Sequence, residues 1–160
     1  MRRVVILGGG NVGDVRQTLD RAERLISERI GEIISRSTDH TSEAWGFQSS
    51  SAFTNRAWVV SSALTAPEVM ATLLDIEAKC GRDRKEEYLS KVLNGQSYAN
   101  RVIDLDILLY GSEVVVTPHL QIPHPRLLER DFALQPMAEA MGIGVEQAVE
   151  LVTKIVKDEI

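Results

Sequence analysis

An α+β fold is what this chain predicts, and three observations predict it. Short runs rich in valine, isoleucine and leucine, bounded by glycine or polar residues, read as strands. Longer segments repeat their apolar residues at helical spacing. Two strands follow one another without a helix between them in the middle of the chain, which a strictly alternating parallel α/β protein does not do.

In order, Val4-Val5-Ile6-Leu7 is a buried strand that stops at Gly8-Gly9-Gly10-Asn11. Asp14 is placed to cap a helix, with Gln17 three residues on. Val15, Leu19, Ala22, Leu25, Ile26 and Ile30 share one face of it, and Gly31 supplies the stop. A second strand runs from Ile33 toward His40, and a polar loop covers 41–51. Residues 53–62 form the third strand. Pro67 sits in the first turn of the next helix, which turns Val69, Leu73, Leu74 and Ile76 inward and ends at Gly81. Residues 82–101 keep neither period and read as a mobile loop, longer than a compact domain usually carries without a use for it. The strand 104–110 follows, then short strands near 113–117 and 120–122 and helices over 127–140 and 145–157. The order β-α-β-β-α-β is that of a ferredoxin-like core, an antiparallel sheet with helices on one face, here with extra C-terminal strands and helices. Trp58, Tyr110, Met137 and Cys80 are assigned to the core.

Residues 1–160 are read as a single domain, long enough to bury a core. A net charge of −5 disfavours a nucleic-acid surface, which needs a basic field. The lone Cys80 offers no internal disulfide and no zinc spacing, which fits a reducing cytoplasm. The apolar run after Met1-Arg2-Arg3 is too short for a signal peptide, and no stretch is long enough to span a membrane. Small-molecule partners and a monomer are expected.

The most informative stretch is Arg101-Val102-Ile103-Asp104-Leu105-Asp106-Ile107-Leu108-Leu109-Tyr110. On a strand Asp104 and Asp106 share a face, with Cα atoms roughly 7 Å apart, while Leu105, Ile107 and Leu109 take the other. Two like charges held side by side favour a cation between them, and oxygen-only ligation suits Mg²⁺. An edge strand with both carboxylates in water is the ordinary alternative.

Gly8-Gly9-Gly10-Asn11-Val12-Gly13 satisfies the spacing of a dinucleotide-binding turn. The dinucleotide reading also wants an acidic residue about 20 positions further on at the end of the second strand, and the strand end nearby carries Asp39, too late by some ten residues. Glycines at this place also let backbone approach a flat ligand.

The set Glu77-x-x-x-Gly81-Arg82-x-Arg84-Lys85, Arg101-x-x-Asp104-x-Asp106, Pro123-His124-Pro125 and Arg130-Asp131-Phe132 resembles the 6-hydroxymethyl-7,8-dihydropterin pyrophosphokinase family of folate biosynthesis. Gly9-Gly10-Asn11, Ser42-Glu43-Ala44-Trp45-Gly46 and Phe53-Thr54-Asn55 extend the resemblance over most of the chain. Gly10, His40, Ser42, Ala44 and Asn100 depart from the family pattern, and extra residues lengthen the segment between Arg84 and Arg101.

The resemblance implies transfer of pyrophosphate from ATP to the pterin's hydroxymethyl group. It implies that Asp104 and Asp106 bind two Mg²⁺ ions and that Arg82 and Arg101 engage the transferring group. Glu77, Arg84, Lys85, His124 and Arg130 are then ATP contacts. Phe53 and Phe132 are an aromatic pair around the pterin, Asn55 reads its edge, and Gly9, Asn11, Ser42, Ala44, Trp45, Gly46 and Tyr98 complete that pocket. Two other readings remain: a non-catalytic nucleotide-binding ferredoxin-like module, and a Rossmann-type dinucleotide binder. Each residue also has an ordinary use: Phe53 in the sheet core, His124 capping a turn, a loop arginine in water.

Overall fold

The computed structural model describes residues 1–42, 52–95 and 100–159. Strands β1 (Arg2–Gly10), β2 (Gly31–Arg36), β3 (His40–Ser42), β4 (Phe53–Ser62) and β5 (Asp104–Tyr110) form one antiparallel sheet. Its order is β2-β4-β1-β5, with β3 also paired to β4. Strands β6 (Val115–Val116) and β7 (Gln121–Ile122) make a separate small hairpin.

Helix α1 (Val15–Arg29) starts where Asp14 Oδ1 accepts from the Gln17 backbone N–H at 3.2 Å. Ile30 ends it, and Gly31 opens β2 instead of closing the helix. Gly31 is needed there, because a Cβ would sit 2.0 Å from the Ser61 carbonyl oxygen of β4. The second strand also breaks at Arg36, so the expected single run to His40 is two short strands. Helix α2 (Ala66–Lys79) has a full capping box between Thr65 and Glu68, with Pro67 in its first turn.

Helices α1 and α2 cover one face, where Val4, Ile6, Leu19, Ile26, Trp58, Leu73, Ile76 and Leu105 pack together. The expectation of helices on one face is corrected by the C-terminal elements. After a 3-10 turn at Leu127–Glu129, helices α4 (Asp131–Met141) and α5 (Val145–Asp158) cover the opposite face. Val5, Leu7, Val59, Leu134, Met137 and Val152 form that second core. The alternation in β1 requires this, since Val4 and Ile6 point one way and Val5 and Leu7 the other, all of them buried. Trp58, Met137, Tyr110 and Cys80 are buried, as their composition suggests.

Leu109 does not share a face with Leu105 and Ile107. A bulge intervenes: Val5 pairs with Leu109 and Ile6 with Ile107, so Leu108 is the extra residue and the alternation flips beyond it.

The segment 82–101 is likewise corrected. It contains helix α3 (Arg84–Asn94), capped by Asp83, whose carboxylate accepts from the Glu86 backbone N–H at 3.1 Å. Glu86 and Glu87 lie in its first turn, Lys91 in its last, and Gly95 closes it in the left-handed region at φ 64°. Its apolar residues Tyr88, Leu89, Val92 and Leu93 stay exposed, so a search for a buried stripe misses it. Among the described residues no helix is long and apolar enough to cross a membrane.

Candidate active site

β5 lies beside β1 at the sheet's edge, where Asp104 pairs with Gly9 and Asp106 with Leu7. The pleat puts both carboxylates on one face before the bulge begins. Asp104 is a junction: Oδ1 accepts from Arg82 Nη1 and Oδ2 from Arg101 Nη1, each at 2.9 Å. Arg82 is only 5% exposed. Its Nη1 also donates to Glu77 Oε2 at 2.9 Å, and its Nε and Nη2 donate to the Glu87 carboxylate at 2.9 and 3.2 Å. Burial alone would make Arg82 easier to deprotonate; Glu87, Glu77 and Asp104 more than reverse that and hold it charged.

Glu77, expected at the nucleoside end of ATP, lies beneath these arginines at 2% exposure. Oε1 accepts from Arg84 at 3.0 Å, and Oε2 also takes the Leu105 backbone N–H at 2.7 Å. Burial pushes its carboxyl up, against the pull of the Leu105 N–H and of Arg82.

No hydrogen-bond donor or ion-pair partner reaches Asp106 among the described residues. Desolvation, then the charges of Asp104 and Glu77, push its carboxyl up to about 7; Arg130 and Arg101 oppose them weakly. A carboxylate so placed has an electrostatic demand for a cation. No three or more His, Cys, Asp or Glu among the described residues are placed to hold a metal ion together, so a cation at Asp104 and Asp106 would need further oxygens from a ligand.

The glycine-rich end of β1 brings the other half of the site together. A Cβ on Gly9 would lie 2.2 Å from Asn55 Oδ1, and one on Gly10 would lie 2.4 Å from the Val102 carbonyl oxygen. These glycines are therefore a strand against which Asn55 and the approach to β5 lie flat, which accounts for the dinucleotide-like spacing without a phosphate turn. Asn11 closes the same end. Its N–H donates to the Arg101 carbonyl at 2.9 Å, its Oδ1 accepts from the Arg101 N–H at 2.8 Å, and its Nδ2 donates to Asn100 Oδ1 at 2.9 Å. Asn11 thus sets where Arg101 leaves the backbone.

Asn55 is buried on β4, directly opposite Gly9 and His40. Phe53 opens β4 opposite Ser42, and Phe132 lies in the first turn of α4. The Arg130 guanidinium stands 5.7 Å from the centre of the Phe132 ring. His124 follows the cis Ile122–Pro123 bond, and its Nδ1 accepts from the Arg126 N–H at 3.2 Å. Burial, then the charge of Arg130, lowers its tendency to protonate. Lys85 is exposed on α3. Ala44, Trp45, Gly46 and Tyr98 lie outside the described residues.

Sequence reasoning missed Glu87, which bridges Arg82 and, at 3.9 Å, Arg101. Its signal was the Asp83-x-x-Glu86 cap, which places Glu87 in the first turn of a helix directly after Arg82.

The family model described as 7,8-dihydro-6-hydroxymethylpterin-pyrophosphokinase (HPPK) matches residues 5–142. The 2-amino-4-hydroxy-6-hydroxymethyldihydropteridine pyrophosphokinase of Porphyromonas gingivalis is 33% identical over 132 residues, covering 82% of this chain and 85% of that one. The Aquifex aeolicus protein of the same name is 37% identical over 137 residues, 84% of this chain and 78% of its own. That of Methylorubrum extorquens is 31% identical over 159 residues, 97% and 94% of the two chains. Among solved structures, a triple mutant of Plasmodium falciparum HPPK-DHPS superposes with a TM-score of 0.57 at 12% identity, over 98% of this chain. This chain spans only 43% of that one, and at such identity the likeness is one of fold. By the extent of the family match and the identity of these relatives, the chain belongs to the 7,8-dihydro-6-hydroxymethylpterin-pyrophosphokinase family.

Proposed function

We propose that Asp104, Asp106, Arg82 and Arg101 form the centre at which pyrophosphate passes from ATP to the hydroxymethyl group of 6-hydroxymethyl-7,8-dihydropterin, giving AMP and the pterin diphosphate. The reaction is that of the family. The observation that carries the residue assignment is the paired carboxylates on one face of β5, one held by two arginines and the other with no hydrogen-bond or ion-pair partner among the described residues.

Asp104 and Asp106 fit divalent magnesium, of which we assign two ions, with phosphate oxygens completing the ligand set. When bound, such ions neutralise charge on the phosphates and polarise the group being transferred. The chain's own residues do the rest. Arg101 and Arg82 offer planar donors suited to two phosphate oxygens at once. Phosphate oxygens would compete with Glu87 for the donors of Arg82, so α3 takes the part of the lid expected of this segment. Glu77 supports Arg82 and Arg84 from below. Arg84, Lys85, His124 and Arg130 line the nucleotide's side. Phe53, Asn55, Phe132, Ser42, Gly9 and Asn11 serve the pterin, with Ala44, Trp45, Gly46 and Tyr98 completing its pocket.

The sheet order β2-β4-β1-β5 supports reading β1-α1-β2-β4-α2-β5 as a ferredoxin-like core. We take the chain as one catalytic domain working as a monomer in the cytoplasm, in keeping with its lone, buried Cys80.

The experiment is to incubate the protein with ATP, Mg²⁺ and the pterin alcohol and separate the nucleotides. AMP formed in step with the pterin diphosphate is the expected result. ADP as product, or no turnover, contradicts it.

A further inference from the structure

Arg56 takes no part in the centre just described, yet it is the most completely paired cation outside it. Its side chain is 8% exposed. Nε and Nη2 donate to the two oxygens of Asp39 at 2.6 and 3.0 Å, and Nη1 donates to Asp20 at 2.8 Å. Such a two-pronged contact fixes orientation as well as distance. It ties three elements together: Asp20 belongs to α1, Arg56 to β4, and Asp39 to the turn between β2 and β3.

The same turn is gripped from α4. The Glu139 carboxylate accepts from the Thr38 backbone N–H at 2.8 Å and from Thr38 Oγ1 at 3.1 Å, and it bonds His40 Nε2 at 2.6 Å. Between the two grips lies β3, a strand of three residues. A strand so short holds its place poorly by its own ladder. Its register pairs His40 with Asn55, Thr41 with Thr54 and Ser42 with Phe53.

We propose that Arg56–Asp39 on one side and Glu139 with Thr38 and His40 on the other are positioning contacts that set the pterin edge of the site. The inference rests on the reading of Asn55, Ser42 and Phe53 as pterin contacts. Arg56 directly follows Asn55 on β4 and points to the opposite face. Fixing Arg56 toward α1 therefore fixes Asn55 over Gly9. Holding Asp39 and His40 fixes how far Ser42 stands from Asn55. None of these five clamp residues is hydrogen-bonded or ion-paired to Arg82, between α2 and α3, to Arg101, just before β5, or to Asp104 and Asp106 on β5. Buried ion pairs contribute little net stability, and their better attested use is to select one geometry over others.

The clamp therefore governs affinity for the pterin and not for ATP. The test measures KM for each substrate, the Kd of a nonhydrolysable ATP analogue and the melting temperature in Arg56→Lys, Glu139→Ala and, as a reference, Asn55→Ala. Arg56→Lys keeps the charge and loses the fork. Both clamp variants should raise the pterin KM about tenfold or more, because small misplacements of a binding group are costly, with ATP-analogue affinity changed by less than about twofold. Equal losses toward both substrates, or an unchanged pterin KM in the folded variants, overturns the proposal. Should Arg56→Lys fail to fold, Glu139→Ala decides, its side chain being 38% exposed. An unchanged pterin KM in Asn55→Ala overturns the assignment of the edge itself, whatever the clamp variants do.

Discussion

At the proposed nucleotide end of the site, Arg82 and Arg101 are held by Glu77, Glu87 and Asp104, charge against charge. At the proposed pterin end, Asn55 is held by a missing side chain at Gly9 and by the pairing of β3, β4 and β1. On the proposed assignment, arriving phosphates would exchange one set of anions for another in the first arrangement. The second has nothing to exchange, and its precision comes from backbone packed at close quarters. Substitutions should therefore act differently at the two ends: through charge and catalysis at one, through fit at the other.

The sharpest break of this comparison is Arg101→Ala. An arginine that stabilises a transferring phosphoryl group is worth about 10³–10⁵ in rate, so kcat should fall by at least about 10³ with the melting temperature nearly unchanged. A loss of tenfold or less in steady-state assays would reduce Arg101 to a binding contact.

Glu77→Ala tests the same end through stability. It takes one of three carboxylates from Arg82 and leaves the buried Leu105 N–H without its acceptor, and an unmade buried hydrogen bond costs about 1–3 kcal/mol. Urea unfolding should show a lower midpoint with an unchanged slope; a loss under about 1 kcal/mol would mean that water replaces the carboxylate.

Gly9→Ala is the matching test at the pterin end. Its Cβ meets Asn55 Oδ1, so Asn55 must swing away. The pterin KM should rise while the affinity for an ATP analogue holds, and the fold should lose about 1–3 kcal/mol, the usual cost of overpacking. Equal weakening of both substrates would erase the distinction between the ends.

Much of the nucleotide end was legible in the sequence. Arg101, Asp104 and Asp106 lie within six consecutive residues at the start of one strand, and alternation alone puts the carboxylates on one face. Arg82 and Glu77 are close in sequence as well. The pterin end was legible only as separate short motifs. Asn55 meets Gly9, and Asn11 meets Arg101, through strand register that spacing does not encode. The same limit applies to Leu109, moved to the other core by a single extra residue at Leu108. Helix α3 was hidden because its apolar residues face outward, so its caps and not its period carried the signal. Helices α4 and α5 were read as helices, but their sheet face follows from the two-sided burial of β1.

A further expected effect concerns pH. Asp106 titrates near 7 in the folded chain and near 3.8 when exposed. Between those values the folded state holds the extra proton, so this group's contribution is full at low pH and is lost as pH rises toward 7. The melting temperature of the protein without nucleotide should decline over that window, and Asp106→Asn should flatten the decline. A rise over the same window, or an equal decline in the variant, would place the titration elsewhere.

Calorimetry addresses directly whether Asp106 is an acidic group that takes a cation. A nonhydrolysable ATP analogue is titrated into the protein and into Asp106→Asn, with and without Mg²⁺. Magnesium should strengthen binding to the native chain, and this gain should vanish in a variant that melts at least as high. An undiminished magnesium dependence in the variant would contradict the account.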